Sequence, residues 1–199
     1  MAGLFVTLEG IDRSGKSTQA AMLADALGEG AVVVREPGGT AAGERVRDIL
    51  KDPEVELGAE GEALLFAAAR AELVRQVIRP ALDDGRTVVC DRFLDSSLAY
   101  QGVARGLGMA TVAALNEPAV AGLAPDLTVL LELDTGAAAG RGAEDDRFER
   151  EGDALQRSVA GAYVELAESD PDRFVRIDAG RDPGAVHADV LAAVREAGG

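Results

Sequence analysis

The sequence predicts an α/β protein with a parallel sheet of five strands flanked by helices, and two observations carry that reading. Five short apolar runs alternate with stretches of helical periodicity, the pattern of buried parallel strands joined by crossover helices. The first strand-to-helix junction is Gly10-Ile11-Asp12-Arg13-Ser14-Gly15-Lys16-Ser17, a complete G-x-x-x-x-G-K-[ST] loop, which belongs between such a strand and such a helix.

Taken in order, Leu4–Leu8 is short, apolar and partly β-branched, hence a buried strand. Ala20, Ala21, Leu23, Ala24 and Leu27 then place a helix over Lys16–Leu27. A second strand, Val32–Val34, leads into Arg35-Glu36-Pro37-Gly38-Gly39-Thr40, and helices follow at Ala41–Leu50 and Glu60–Leu82. The third strand, Thr87–Cys90, runs into Asp91-Arg92-Phe93, with helices at Ser96–Val103 and Thr111–Ala121. Strands Leu127–Leu133 and Phe174–Ile177 bracket a helix at Leu155–Glu168, and Ala185–Ala197 closes the chain. With no repeat or long linker, residues 1–199 read as one domain. The Gly/Ala-rich, then acidic stretch at about 136–147 reads either as a solvated loop or as a mobile lid. Ligands of open α/β sheets sit outside the carboxyl ends of the strands, so the polar loops after the strands should converge.

The bulk composition excludes several classes. No apolar run approaches the roughly 18 residues of a membrane span, and Glu9 and Asp12 interrupt the N-terminal apolar stretch too early for a signal peptide. Net charge is −15, with Lys16 and Lys51 the only lysines. That balance argues against nucleic-acid binding, whose affinity comes from neutralising phosphates. An anionic ligand must therefore be held by a local cluster of arginines and backbone amides. The acidic, alanine-rich composition suits either a G+C-rich genome or a high-salt cytoplasm. Cys90 is the single cysteine, which forbids an intrachain disulfide and fits a reducing cytoplasm. Cys90 reads as a small core residue and His187, the single histidine, as a surface residue; neither makes a zinc site.

The chemistry concentrates in the loops. The glycines of the first loop let successive backbone N–H groups from Gly10 to Thr18 turn toward phosphate oxygens at a helix N-terminus. Lys16 then reaches the β- and γ-phosphates, and the Ser17 hydroxyl suits Mg²⁺. Asp91 ends a second strand and can orient that ion through water, while Arg92 can hold another phosphate in a bidentate pair; a strand-end ion pair is the other reading. Phe66 and Arg70 share a helix face one turn apart, and by themselves read as core and solvated charge.

The motifs together resemble the thymidylate kinase family. Those that carry the likeness are Leu4-Phe5-Val6-Thr7-Leu8-Glu9-Gly10, Arg35-Glu36-Pro37-Gly38-Gly39 and Leu65-Phe66-Ala67-Ala68-Ala69-Arg70, then Cys90 through Gln101, Pro125-Asp126-Leu127-Thr128 and Asp146-Arg147-Phe148-Glu149. The Asp91–Gln101 block separates this family from other nucleoside-monophosphate kinases. The resemblance implies a P-loop fold, a homodimer, and Mg²⁺-dependent transfer of a phosphoryl group from ATP to dTMP. It implies that Phe66 stacks on thymine while Arg70, Ser97 and Gln101 read its polar edge. Tyr100 would lie against the sugar and exclude a 2′-hydroxyl, and Asp12 would hold the 3′-hydroxyl. Arg35, Arg47 and Arg92 would grip the acceptor phosphate, with Glu36 acting near it and the metal.

Arg13 departs from many bacterial members, which carry a small or non-basic residue there and place catalytic arginines in the lid. Here the lid is acidic, with Arg141 its clearest basic residue before Arg147. Lys16, Arg13 and Arg92 are thus the expected catalytic residues, with Arg141 covering the adenine of ATP. The rivals are a kinase for another nucleoside monophosphate or a deoxynucleoside, a GTPase switch, for which no N-K-x-D run exists, and a nucleic-acid motor, which the charge disfavours.

Overall fold

The computed structural model describes residues 3–141 and 152–198. Strands β1 (Phe5–Glu9), β2 (Ala31–Arg35), β3 (Thr87–Asp91), β4 (Leu127–Glu132) and β5 (Phe174–Asp178) form one parallel sheet in the order β2-β3-β1-β4-β5. The helices are α1 (Lys16–Leu27), α2 (Ala41–Lys51), α3 (Ala59–Leu73), α4 (Arg79–Asp83), α5 (Leu94–Ser97), α6 (Met109–Val120), α7 (Thr135–Ala139), α8 (Gly152–Ser169) and α9 (Pro183–Ala197).

β1 is central and wholly buried, which is why it reads as a continuous apolar run ending in one acid. Its side chains alternate. Val6 and Leu8 enter a core with Leu23 of α1 and Val186 and Val190 of α9. Phe5 packs on the opposite side with Leu73, Ile78 and Phe93, meeting the Phe93 ring edge-on at 5.0 Å between centroids. A third cluster seats α8 on the sheet through Val159, Tyr163 and Leu130. Helices thus cover both faces, and the edge strand β2 leaves Val33 exposed.

Local signals start the helices. The Thr40 hydroxyl accepts from the Gly43 amide at 2.9 Å to cap α2, and Asp182 caps α9 ahead of Pro183. The helix expected over Glu60–Leu82 is instead α3, a wide π-helical stretch at Val74–Ile78, and α4. Pro80 has no N–H to give the Gln76 carbonyl, and the ladder widens just before it. The helix expected over Ser96–Val103 is likewise α5 followed by a π-helical stretch, Leu98–Ala104. His187, expected at the surface, is half-buried on α9.

Of the expected lid, the first part is α7, capped by Asp134. Gly140 and Arg141 follow it, and the part from 142 on, with Arg147 and the Asp146–Glu149 motif, lies outside the described residues. Among the described residues no helix is long and apolar enough to cross a membrane.

Candidate active site

The loop after β1 is shaped by three residues with positive φ: Gly10 at 143°, Arg13 at 62° and Gly15 at 99°. At Gly10 a Cβ would stand 2.5 Å from the Leu131 carbonyl oxygen, so β4 leaves no room for a side chain. Lys16 folds back over the loop and donates to the carbonyls of Ile11 at 2.7 Å and Gly10 at 3.2 Å. Burial first, then the neighbouring Arg92, push its ammonium down to about 8, against the pull of Asp91, Asp12 and Glu9. Among the described residues its ammonium rests on carbonyl and hydroxyl oxygens, with no carboxylate in hydrogen-bond reach. Ser17 donates its hydroxyl to Asp91 Oδ2 at 2.5 Å, joining the start of α1 to the end of β3.

Arg92 follows Asp91 with φ of 72°, and this turn sends its side chain back over the loop. Its guanidinium donates to the Gly10 carbonyl at 3.1 Å and to Asp12 Oδ1, and lies 5.1 Å over the Tyr100 ring. Asp12 also receives the Gln156 amide of α8 at 2.7 Å. Burial works to raise the Asp12 carboxyl, but Arg92, Lys16 and Gln156 outweigh it and hold it below the ordinary range.

Phe66, Ser97, Tyr100 and Gln101 form one wall of a cavity of about 870 Å³, whose opposite side is the loop from Asp12 to Thr18. Tyr100 and Gln101 sit in the π-helical stretch. Arg70 stands one contact behind this wall. It is 1% exposed and donates to Glu36 through Nε at 2.9 Å and NH2 at 2.6 Å, to Ser97 Oγ at 3.1 Å, to the Phe93 carbonyl at 3.0 Å and to Asn116 Oδ1. Glu36, expected near the acceptor phosphate, is the counter-ion of this arginine, and burial pushes its carboxyl above the ordinary range while Arg70 pulls it back. Removing one member of such a pair leaves the other charge buried and unpaired, at a cost of about 3–5 kcal/mol. Glu36→Ala is therefore expected to lower Tm by roughly 10 °C, measured by circular dichroism; a shift within 2 °C would show that Arg70 needs no counter-ion.

The remaining cationic candidates ring the same cavity. Arg35 pairs with Glu44 at 3.0 Å, Arg47 donates to the Pro37 carbonyl at 3.0 Å, and both line the opening with Arg13. Arg141 bridges the carbonyls of Ala179 at 2.9 Å and Arg13 at 3.4 Å, next to Arg181 of the loop before α9 and Pro183 at the start of that helix. Loops after β1, β2, β3 and β5 therefore converge, as the sheet topology dictates. Gly10 and Ile11 turn away from the opening, and Ile11 packs with Leu130 and Val159.

Several contributors escape a linear reading. Glu9, Ser96 and Tyr163 meet beneath Arg92, Gln156 reaches Asp12, Asn116 holds Arg70, and Glu62 accepts from Gln101 at 2.8 Å. Only Glu9, an acid closing an apolar strand beside the glycine loop, carries a visible signal.

A family model described as thymidylate kinase matches residues 8–190 of the chain. The thymidylate kinase of Deinococcus radiodurans is 46% identical over 202 residues, covering 98% of each chain. That of Pelotomaculum thermopropionicum is 48% identical over 204 residues, covering 98% of this chain and 94% of the relative. A crystal structure of thymidylate kinase from Ehrlichia chaffeensis superposes with a TM-score of 0.83 at 31% identity, covering 98% of this chain and all of the other.

Proposed function

The chain belongs to the thymidylate kinase family and catalyses ATP-dependent phosphorylation of dTMP to dTDP, and we propose that the residues around the cavity divide that task as follows. The observation that carries the assignment is the meeting of the phosphate loop with the Phe66, Ser97, Tyr100 and Gln101 wall across one opening. Its volume lies toward the upper end of the roughly 300–1,000 Å³ usual for ligand sites, as two nucleotides end to end require.

On the donor side, backbone amides of the loop from Asp12 to Thr18 receive the ATP phosphates, and Lys16 trades its carbonyl partners for the β- and γ-oxygens. Arg141 covers the adenine beside Arg181 and Pro183. On the acceptor side, Phe66 stacks on thymine, and Ser97 and Gln101 meet its polar edge. Arg70 acts there with Ser97, whose hydroxyl oxygen already accepts one of its N–H groups. Tyr100 bounds the sugar and Asp12 takes the 3′-hydroxyl. Arg92, with Arg35 and Arg47 at the rim, grips the acceptor phosphate; the role of Glu36 is to hold the Arg70 guanidinium fixed.

The nucleophile is a phosphate oxygen of dTMP, already ionised above a second pKa of about 6, so no general base is needed. A new O–P bond forms to the γ-phosphorus as the bond to the bridging β-oxygen breaks. Alignment and positive charge supply the catalysis, and Arg13 is placed on the migrating group. Ser17 and Asp91 present a hydroxyl and a carboxylate together, hard oxygen donors suited to Mg²⁺. When bound, that ion neutralises phosphate charge during transfer.

We place the enzyme in the cytoplasm as a homodimer. Support comes from the single buried Cys90 and from Ile49 and Leu64, exposed on the adjoining helices α2 and α3.

An ADP-release assay across dTMP, dUMP, UMP, dCMP, dGMP and AMP tests the reading. dTMP is expected to react best, dUMP weakly and UMP hardly at all; preference for AMP or dCMP would overturn the acceptor assignment. Tyr100→Ala should bring kcat/KM for UMP toward that for dUMP, because opening the sugar wall admits a 2′-hydroxyl. An unchanged dUMP-to-UMP ratio would assign sugar reading to another group.

A further inference from the structure

Glu9, at the carboxyl end of β1, is 0% exposed and pairs with no cation among the described residues. A buried carboxylate without an ion pair is costly, and its charge is met by three donors alone: the Phe93 amide at 2.7 Å on Oε1, and the hydroxyls of Ser96 at 2.6 Å and Tyr163 at 2.7 Å on Oε2. All three lead to Arg92. The Phe93 amide is the peptide link that follows Arg92, whose φ of 72° is unfavourable for an L residue. The two hydroxyl oxygens accept from Arg92 NH1, Ser96 at 3.1 Å and Tyr163 at 3.4 Å.

The proton count makes the arrangement directional. An ionised Glu9 takes both hydroxyl protons, so both hydroxyl oxygens are left as acceptors toward the guanidinium. A neutral Glu9 instead gives its own proton to the same cluster, in which Ser96 Oγ and Tyr163 Oη lie 2.8 Å apart, and the attraction between its charge and the Arg92 guanidinium is lost. We propose that Glu9 is a positioning residue for phosphoryl transfer, holding Arg92 at its backbone and at its guanidinium in the orientation that grips the acceptor phosphate. This rests on the role assigned to Arg92 above.

The groups that face Glu9 are Ser96 and Asp95 of α5, Arg92 and Cys90 of the β3 end, Tyr163 of α8 and Lys16 of α1. Burial, then Asp95, raise its carboxyl to about 7 against the opposing Ser96, Arg92 and Tyr163. Since the ionised form sets the frame, the grip on dTMP is present above this value and lost as pH falls through it.

The test is steady-state kinetics of wild type, Glu9→Gln, Tyr163→Phe and Arg92→Lys from about pH 5 to about pH 8 (on the order of one unit either side of the two ionisations). Glu9→Gln at pH 8 is expected to raise KM for dTMP roughly tenfold or more, with KM for ATP within about twofold. Below pH 6 the logarithm of kcat/KM for dTMP should rise with a slope approaching about 2 in wild type, for Glu9 and the dTMP phosphate together, and about 1 in Glu9→Gln. Combining Glu9→Gln with Arg92→Lys should cost no more than Arg92→Lys alone. If Arg92→Lys weakens dTMP but Glu9→Gln and Tyr163→Phe do not, the inference is overturned and the role of Arg92 stands. An unchanged KM in Arg92→Lys overturns both. Should Glu9→Gln fail to fold, Tyr163→Phe decides alone: it removes one oxygen, and a wild-type KM for dTMP would overturn the proposal.

Discussion

Lys16→Met is expected to lower kcat by about 10²–10³-fold or more without loss of fold. The side chain is 5% exposed and crosses the phosphate loop, its Nζ on the Ile11 and Gly10 carbonyls. Methionine matches its length, and it removes a charge whose burial already disfavours ionisation. The native state is therefore not expected to suffer. The enzyme loses the charge that would meet the β- and γ-phosphates, where negative charge shifts as the γ-phosphoryl group departs. A coupled ADP-release assay with circular dichroism on the same preparation checks both halves. Full turnover by a folded Lys16→Met protein would sink the phosphate-loop mechanism.

The sheet was legible because burial on both faces forces its strands into apolar runs: Phe5–Glu9 and Thr87–Asp91 were expected to within one residue. The π-helical stretches were not, because a single widened turn barely disturbs an apolar stripe read at helical period; Pro80 marks one of them, and no residue type marks Leu98–Ala104. At the site, residues on loops after strands could be found because glycine spacing and strand-end polarity have few other causes. Tyr163 and Gln156 could not. Their partners, Glu9 and Asp12, lie 154 and 144 positions away, and on α8 they are an ordinary aromatic and an ordinary amide. Glu36 was found as a site residue but its pairing with Arg70 was not, since 34 positions separate them and nothing local distinguishes a metal-side acid from a counter-ion. Chemistry carried by one segment is visible in sequence, whereas chemistry that needs two distant segments becomes visible only once the sheet brings them together.

The catalytic role proposed for Arg13 can be tested through the loop's own geometry. Arg13 occupies a left-handed backbone position, φ 62°, which costs an L residue but not glycine. Arg13→Gly therefore removes the guanidinium while relaxing the backbone, and any loss of activity reads as lost charge. Aimed at the migrating phosphoryl group, that charge acts mainly in the transition state, so kcat should fall by about 10²-fold or more while KM for dTMP changes little. Arg141 differs in kind. It is anchored on the Ala179 and Arg13 carbonyls beside the loop before α9, so Arg141→Ala should chiefly raise KM for ATP. Its hydrogen bond to the Arg13 carbonyl couples the two residues, and kcat at saturating ATP separates them. If Arg141→Ala reduces that kcat as severely as Arg13→Gly, the catalytic charge belongs to the segment after β4 and the phosphate-loop arginine is only a binding group.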